Sequence, residues 1–207
     1  LHVSALAGKR VGYVEASSAH YTLLQGIASA GLGENQVQLV PLSVDEMPGA
    51  LERVDIDAFA AWEPAPSIAR ANSEKNRIIF RGQSTDYFVI GRDFARRSPE
   101  TAQQLVAGFL RAIEWMRRSR SNVEKAALWA MEDSAALSGK PETLSVAQIV
   151  SITQREILSI PSAPSIVFSP GTPPLKNEFD FLMKRGKLPA GATWENVELA
   201  LGYDGLV

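Results

Sequence analysis

Apolar residues over the first eighty positions fall into short blocks with two alternating spacings. Arg10-Val-Gly-Tyr-Val-Glu15 is a brief run bounded by Gly8 and a serine pair, and Val37 to Leu42 and Ile56 to Trp62 are two more. The last is nearly continuous in apolar side chains, the composition of a parallel strand covered on both faces. Between the first two blocks, Tyr21, Leu24, Ile27 and Ala28 recur at helical intervals, predicting an amphipathic helix over Ser18 to Ala30 stopped by Gly31-Leu-Gly33. Asp45 to Arg53 predicts a second helix despite Pro48 and Gly49, Ser67 to Ala71 a third, and Arg77 to Phe80 a fourth strand. This β-α-β-α-β-α-β order predicts an α/β unit with a small open sheet and helices on both faces.

The pattern then changes to one that is almost wholly helical. Tyr87 to Gly91 fits one more strand. Ser98-Pro99-Glu100 opens the clearest helix, with a hydroxyl at the N-cap, proline at the first helical position and a carboxylate at the positive dipole end. Ala102, Leu105, Val106, Phe109, Leu110, Ile113 and Met116 follow with the spacing of a buried face. Asn122 and Ser145 read as caps of two further helices, the proline-rich stretch Ile160 to Pro174 as extended loop, and Leu175 to Arg185 as a helix closed by Gly186. A helix-rich half with one strand has no sheet of its own, so these helices pack either on the first half or, as is expected here, on strands absent from this chain. Gln83 to Asp86, polar and glycine-flanked, is the expected hinge. The expected division is therefore residues 1–82 and 83–207.

Composition narrows the function classes. The 207 residues are 45% hydrophobic and 21% charged, enough apolar material for a real core. Lys and Arg number 21 against 23 Asp and Glu, a net charge of −2 that argues against wholesale binding to nucleic acid or an anionic membrane. With no cysteine, disulfides, thiolate metal sites and cysteine nucleophiles are excluded. No apolar run approaches the ~20 residues of a bilayer span, so a soluble protein is expected. The chain begins Leu-His-Val-Ser without a basic segment and an apolar one behind it, as a mature, cleaved or engineered fragment would.

The most informative stretch is Val14-Glu-Ala-Ser-Ser-Ala-His-Tyr21, where a strand ends, two hydroxyls follow and a helix begins. The first turn of a helix has unpaired amides and positive potential, a receptor for sulfonate, sulfate, nitrate or carboxylate to which Ser17 and Ser18 would add neutral donors. The plainer reading is that one of them is only the N-cap. His20, inside that turn, either donates to an anion or caps and packs. It cannot serve Ser18 as a general base, because residues two apart on a helix do not face each other. Neither a metal cluster nor a phosphate or dinucleotide loop is present in the sequence, and no cofactor is expected. Ala61-Trp-Glu-Pro-Ala-Pro66 ends a buried strand where open sheets bind ligands. There Trp62 is either a pocket wall or core, and Glu63 either pairs with a ligand ammonium or caps the next helix. Ser84-Thr-Asp86-Tyr87 is a third, weaker cluster at the hinge, with Asp86 facing a ligand from one side. Arg117-Arg-Ser-Arg120 reads as a solvated helix end, and Trp115, Trp129 and Trp194 as packing residues.

Taken in order, Leu6-Ala-Gly-Lys-Arg-Val-Gly-Tyr-Val, Ser17-Ser-Ala-His-Tyr with Leu23 and Leu24, Asp55-Ile-Asp-Ala-Phe-Ala-Ala-Trp-Glu-Pro and Tyr87-Phe-Val-Ile-Gly-Arg-Asp-Phe resemble the periplasmic solute-binding proteins of ABC importers, in the branch of aliphatic sulfonates, taurine, nitrate and thiamine precursors. The likeness continues through Ser98-Pro-Glu and Phe179 to Pro189. It implies a type II periplasmic-binding-protein-like clamshell with ligand held between two lobes. Residues 1 to about 82 would form the second lobe and the rest would return to the first, whose opening segment with its early strands is not in this chain. It also implies an anion site on Ser17, Ser18 and Ala19 and a cleft-facing segment at Trp62 and Glu63. Two departures stand out: Ala16 replaces the usual glycine before the serine pair, and Pro48-Gly49 interrupts a usually helical segment.

The function so implied is capture, in the periplasm or on a lipid anchor outside the cytoplasm, of a small organic or inorganic oxyanion, an aliphatic sulfonate or taurine above all, for delivery to the membrane permease of an ABC transporter, without catalysis. Two other classes remain: a sensory module reporting ligand to a signalling domain, and an enzyme such as a desulfinase on the same fold. A chain lacking the early strands would fold alone, form a homodimer that replaces them, or exist only as a piece of a longer protein.

Overall fold

Three short strands, β1 (Arg10–Tyr13), β2 (Gln38–Pro41) and β3 (Ala58–Ala60), pair in parallel in the order β2-β1-β3 in the computed structural model, which describes residues 2–82, 88–139, 143–159 and 174–200. The register sets Arg10 against Gln38 and Tyr13 against both Pro41 and Ala60. Val11, Gly12 and Tyr13 are all buried, as a central strand covered on both faces must be. Gly12 serves this directly: a Cβ there would lie 2.9 Å from Ile56 Cδ1.

Helix α1 (Ser18–Ser29) joins β1 to β2 and buries Leu23 and Ile27 against Leu6, Val11, Tyr13 and Val37. It stops where the glycines predicted. Gly31 takes φ +74°, its amide donates to Ala28 O at 3.0 Å and that of Leu32 to Ile27 O at 2.9 Å, the paired bonds of a Schellman end. Helices α2 (Met47–Glu52) and α3 (Ala65–Asn72) precede and follow β3. Pro48 sits in the first turn of α2, where its missing N–H costs no helical bond.

Helix α2 ends in the same Schellman geometry, but with Val54 at φ +62°. A β-branched residue is strained in the left-handed region, and Val54 is 64% exposed, so its side chain contributes little packing in return. Val54→Gly is therefore expected to stabilise its unit by about 1 kcal/mol, read as roughly fivefold slower hydrogen exchange at Val11 and Tyr13 in β1. The Val54 carbonyl also accepts from Arg10 Nη2 at 2.9 Å. The same guanidinium grips Asp57, Nε to Oδ2 and Nη2 to Oδ1 both at 3.1 Å, and ties the ends of β1 and β3. These bonds hold the Asp57 carboxyl down at about 2, so the pair's contribution is present above the ordinary carboxylate range and is lost as pH falls through that value.

Arg77 to Phe80 forms no strand, contrary to the sequence pattern. Ile79 packs on the core instead, and Phe80 covers Gly26 of α1, where a Cβ would come within 3.0 Å of its ring. Phe88 to Gly91 is not a strand either, and Tyr87 lies outside the described residues, as do the expected hinge Gln83 to Asp86 and residues 160–173 of the expected loop.

Residues 88–159 form a separate unit of four helices, α4 (Arg92–Arg97), α5 (Pro99–Arg117), α6 (Arg120–Ser138) and α7 (Val146–Glu156), around Val123, Ala127 and Val150. Ser145 caps α7 through a reciprocal pair with Gln148. The cap of α6 is Ser119, not Asn122. The Ser119 hydroxyl accepts from the Asn122 amide at 3.1 Å, and the Asn122 side chain turns back to donate to Trp115 O at 2.7 Å. The apolar stripe of α5 is not buried as its spacing predicts. Ala102 is covered, yet Leu105 and Phe109 are 49% and 47% exposed, because the described residues of this unit include no sheet to receive that face.

The chain then returns. Helices α8 (Pro174–Lys184) and α9 (Trp194–Glu198) belong with residues 2–82, so the division is not the single cut at 82/83 that the pattern suggested. Phe181 of α8 is buried against α1, its ring 5.3 Å from that of His20 and 5.4 Å from that of Tyr21. A third Schellman end at Gly186 sets Arg185 on Glu34 at 2.6 Å and Lys187 on Glu15 at 3.1 Å.

Candidate functional site

The strand order itself locates a site. From central β1 the chain passes through α1 to β2 on one side, then through α2 across β1 to β3 on the other. Right-handed crossovers place α1 and α2 on opposite faces, and open parallel sheets with such a reversal take ligands at the carboxyl ends of the strands beside it, here β1 and β3. The segments leaving those ends are Val14–Ser17 and Ala61–Pro64, the two that the sequence marks as candidates, and Tyr13 and Ala60 at their roots are register partners.

At the first end the chain reverses sharply. Ala16 takes φ +58°, a left-handed conformation that glycine adopts freely and alanine does not. Ser17 is the N-cap, and its hydroxyl is used twice: Oγ accepts from the His20 amide at 3.1 Å and donates to Val14 O at 2.7 Å. That leaves the amides of Ser18 and Ala19 and the Ser18 hydroxyl with no partner among the described residues. The first turn contains no acidic residue to compete for them. Glu15, the nearest carboxylate in sequence, is paired with Lys187. The geometry thus separates the two serines, Ser17 holding the turn and Ser18 left open.

His20 is wholly buried. Its Nδ1 accepts from the Ala16 amide at 3.2 Å, so the ring is neutral with its proton on Nε2, and that atom has no partner among the described residues. Tyr13 stands edge-on at 4.4 Å and Phe181 at 5.3 Å. Burial pushes the imidazole below its ordinary value, Arg185 adding to the effect while Glu34 and Glu15 oppose it. Of the two roles the sequence leaves open for His20, the geometry is that of packing and holding the turn. The sequence showed the substitution of Ala16 for glycine, but not the bond that accompanies it.

At the second end Trp62 is 45% exposed at the mouth of β3, not in the core. Glu63 turns onto α3, where its Oε2 accepts from the Ser67 amide at 3.2 Å in the manner of a cap. Asp86 lies outside the described residues. Among the described residues no cluster of His, Asp and Glu could hold a metal ion, and no helix is long and apolar enough to cross a membrane.

Residues 2–131 match the NMT1-like family. The taurine-binding periplasmic protein of Escherichia coli strain K12 is 25% identical over 201 residues, covering 90% of this chain and 59% of that protein. A putative aliphatic sulfonates-binding protein of Bacillus subtilis strain 168 is 27% identical over 120 residues, 56% of this chain and 36% of that one. The chain thus spans about three fifths or less of these relatives' length. Among solved structures, the alkanesulfonate-binding protein SsuA from Xanthomonas axonopodis pv. citri, bound to MOPS, superimposes with a TM-score of 0.63 at 23% identity over 91% of this chain and 61% of that one. The periplasmic aliphatic sulphonate binding protein SsuA from Escherichia coli gives 0.57 at 23% identity over 74% and 50%. These likenesses establish the α/β fold of a periplasmic binding protein for the part of it that this chain contains. With 130 of its 207 residues matched, the chain belongs to the NMT1-like family.

Proposed function

We propose that this chain captures a small organic oxyanion, a sulfonate or taurine, as the substrate-binding component of an ABC importer. The observation that carries the reading is the open first turn of α1: two amides and one hydroxyl, unopposed by any carboxylate in the turn, at the sheet edge where the strand order reverses. In this reading the oxyanion sits on the amides of Ser18 and Ala19 with the Ser18 hydroxyl as third donor. Trp62 shields the organic tail, and Ser17 supports the site without touching the ligand. The names of the relatives support the ligand class. The same kinship supports delivery to a membrane permease and a periplasmic location. The neutral donors favour retention of an anion without proton transfer, and so capture in place of chemistry. Closure over the ligand would shift an open form to a closed one that the permease reads.

Calorimetry of the full-length protein with taurine, ethanesulfonate, nitrate and sulfate tests this. The expected result is binding of at least one sulfonate, weakened ten- to a hundredfold by Ser18→Ala, the worth of a hydrogen bond to a charged group. Unchanged affinities in the Ser17→Ala, Ser18→Ala double variant would rule the site out.

A further inference from the structure

We infer that His20 is a positioning residue: its unprotonated Nδ1 is the acceptor that keeps Ala16 in the left-handed turn and so aims the open amides of Ser18 and Ala19 out of the fold. The inference rests on the oxyanion reading for its functional consequence but not for its structural core. Three observations converge on it. Ala16 stands at φ +58°, where a residue with a Cβ needs an outside contact to stay. The amide of that same residue donates to His20 Nδ1 at 3.2 Å, across one turn of chain. The imidazole that accepts is fully buried between Tyr13 and Phe181, with an unpartnered Nε2, so it is kept inside at the cost of an unsatisfied donor. A side chain that only filled space there would be apolar.

Protonation would convert Nδ1 from acceptor to donor, directly against the Ala16 N–H. The charged and titratable groups around the ring are Tyr13 and Glu15 from the end of β1, Glu34 from the turn after α1, and Arg185 and Lys187 from the end of α8. The four fully charged ones are paired, Arg185 with Glu34 and Lys187 with Glu15, so the pull of each carboxylate toward an imidazolium is offset by a cation beside it, and burial decides the direction. The turn is therefore intact above the ordinary imidazole value of 6.5, and it is weakened as pH falls below it. This separates a positioning histidine from one that touches the ligand. A ligand-contacting histidine would bind an anion more tightly in acid, whereas His20 in this role makes binding weaker.

The test compares His20→Asn, which returns an oxygen acceptor close to the place of Nδ1, with His20→Leu, which keeps apolar bulk and removes the acceptor. Without ligand, amide hydrogen exchange at Ala16 is expected to quicken at least tenfold in His20→Leu and to stay within threefold of the parent in His20→Asn. Ala16→Gly, added to His20→Leu, is expected to restore ethanesulfonate affinity to within threefold, because glycine holds the turn unaided. The parent's affinity for ethanesulfonate is expected to fall as pH drops from 7 to 5, and His20→Asn to flatten that profile. Unchanged Ala16 exchange in His20→Leu, equal damage from both His20 substitutions, or tighter binding in acid would overturn the inference. Failure of the parent to bind either taurine or ethanesulfonate would overturn the oxyanion reading alone, since the exchange measurement still decides the role of His20.

Discussion

Ser18→Asp is expected to abolish binding of every oxyanion tested, at least a hundredfold, while leaving thermal stability unchanged or slightly raised. The two effects have opposite signs for one reason. A carboxylate at the first helical position accepts the free amides of Ser18 and Ala19 itself and meets the positive end of α1, a gain of roughly 0.3–1 kcal/mol. An incoming anion then finds its donors taken and a like charge within ~4 Å, a repulsion of about 4 kcal/mol at the effective dielectric of a protein surface. Calorimetry with ethanesulfonate and a melting curve on the same sample check both halves. An affinity within threefold of the parent would place the ligand elsewhere, and lost affinity with a lowered melting point would indicate damage to the fold.

Ile27→Ala carries the largest expected loss of stability. Ile27 is 2% exposed and stands in the core with Val11, Leu23, Tyr13 and Val37, and its carbonyl also accepts the Leu32 amide that closes α1. Truncation removes three buried carbons and leaves a cavity between helix and sheet, worth about 3–4 kcal/mol, against about 1 kcal/mol for Ile27→Val. Because the described residues form two units, a single global midpoint would blend them. The fitting measurement is hydrogen exchange at Val11 and Tyr13 in β1. A loss of 3 kcal/mol appears there as roughly a hundredfold faster exchange under conditions where reclosing outpaces chemical exchange, so that the opening equilibrium sets the rate.

Both predictions use parts of the molecule that differ in how plainly the chain announces them. The core position of Ile27 was legible in the helical spacing of Tyr21, Leu24 and Ile27, and the end of α1 in Gly31, because local geometry alone requires a left-handed residue there. The first turn of α1 was legible as an anion receptor, since helices leave amides unpaired whatever surrounds them. Which serine remained open was not, because that depends on the Val14 carbonyl lying within reach of the Ser17 hydroxyl. Glu63 was ambiguous for a similar reason. Capping α3 and meeting a ligand both suit a carboxylate at a strand end, and only the Ser67 amide at 3.2 Å shows where it points.

The misreadings share a cause. Arg77 to Phe80 has strand-like composition, but Phe80 packs on Gly26 instead of joining a ladder. The α5 stripe has the spacing of a buried face, yet burial requires a partner surface, and periodicity contains no information about whether one is present. Helices α8 and α9 return to the first unit through Phe181, Arg185 and Lys187, contacts more than 150 residues from Glu34 and Glu15 in the chain.

The sequence by itself determined the α/β order of the first unit, the start and stop of α1, the family likeness and the two segments that flank the candidate site. Each rests on interactions within one turn of helix or on the alternation of apolar blocks. Only the tertiary structure decided the strand order β2-β1-β3, the return of α8 and α9, the exposure of Leu105 and Phe109, and the burial of His20 behind Ala16. Those depend on which surfaces meet, and residues far apart in the chain meet through packing that no local pattern specifies.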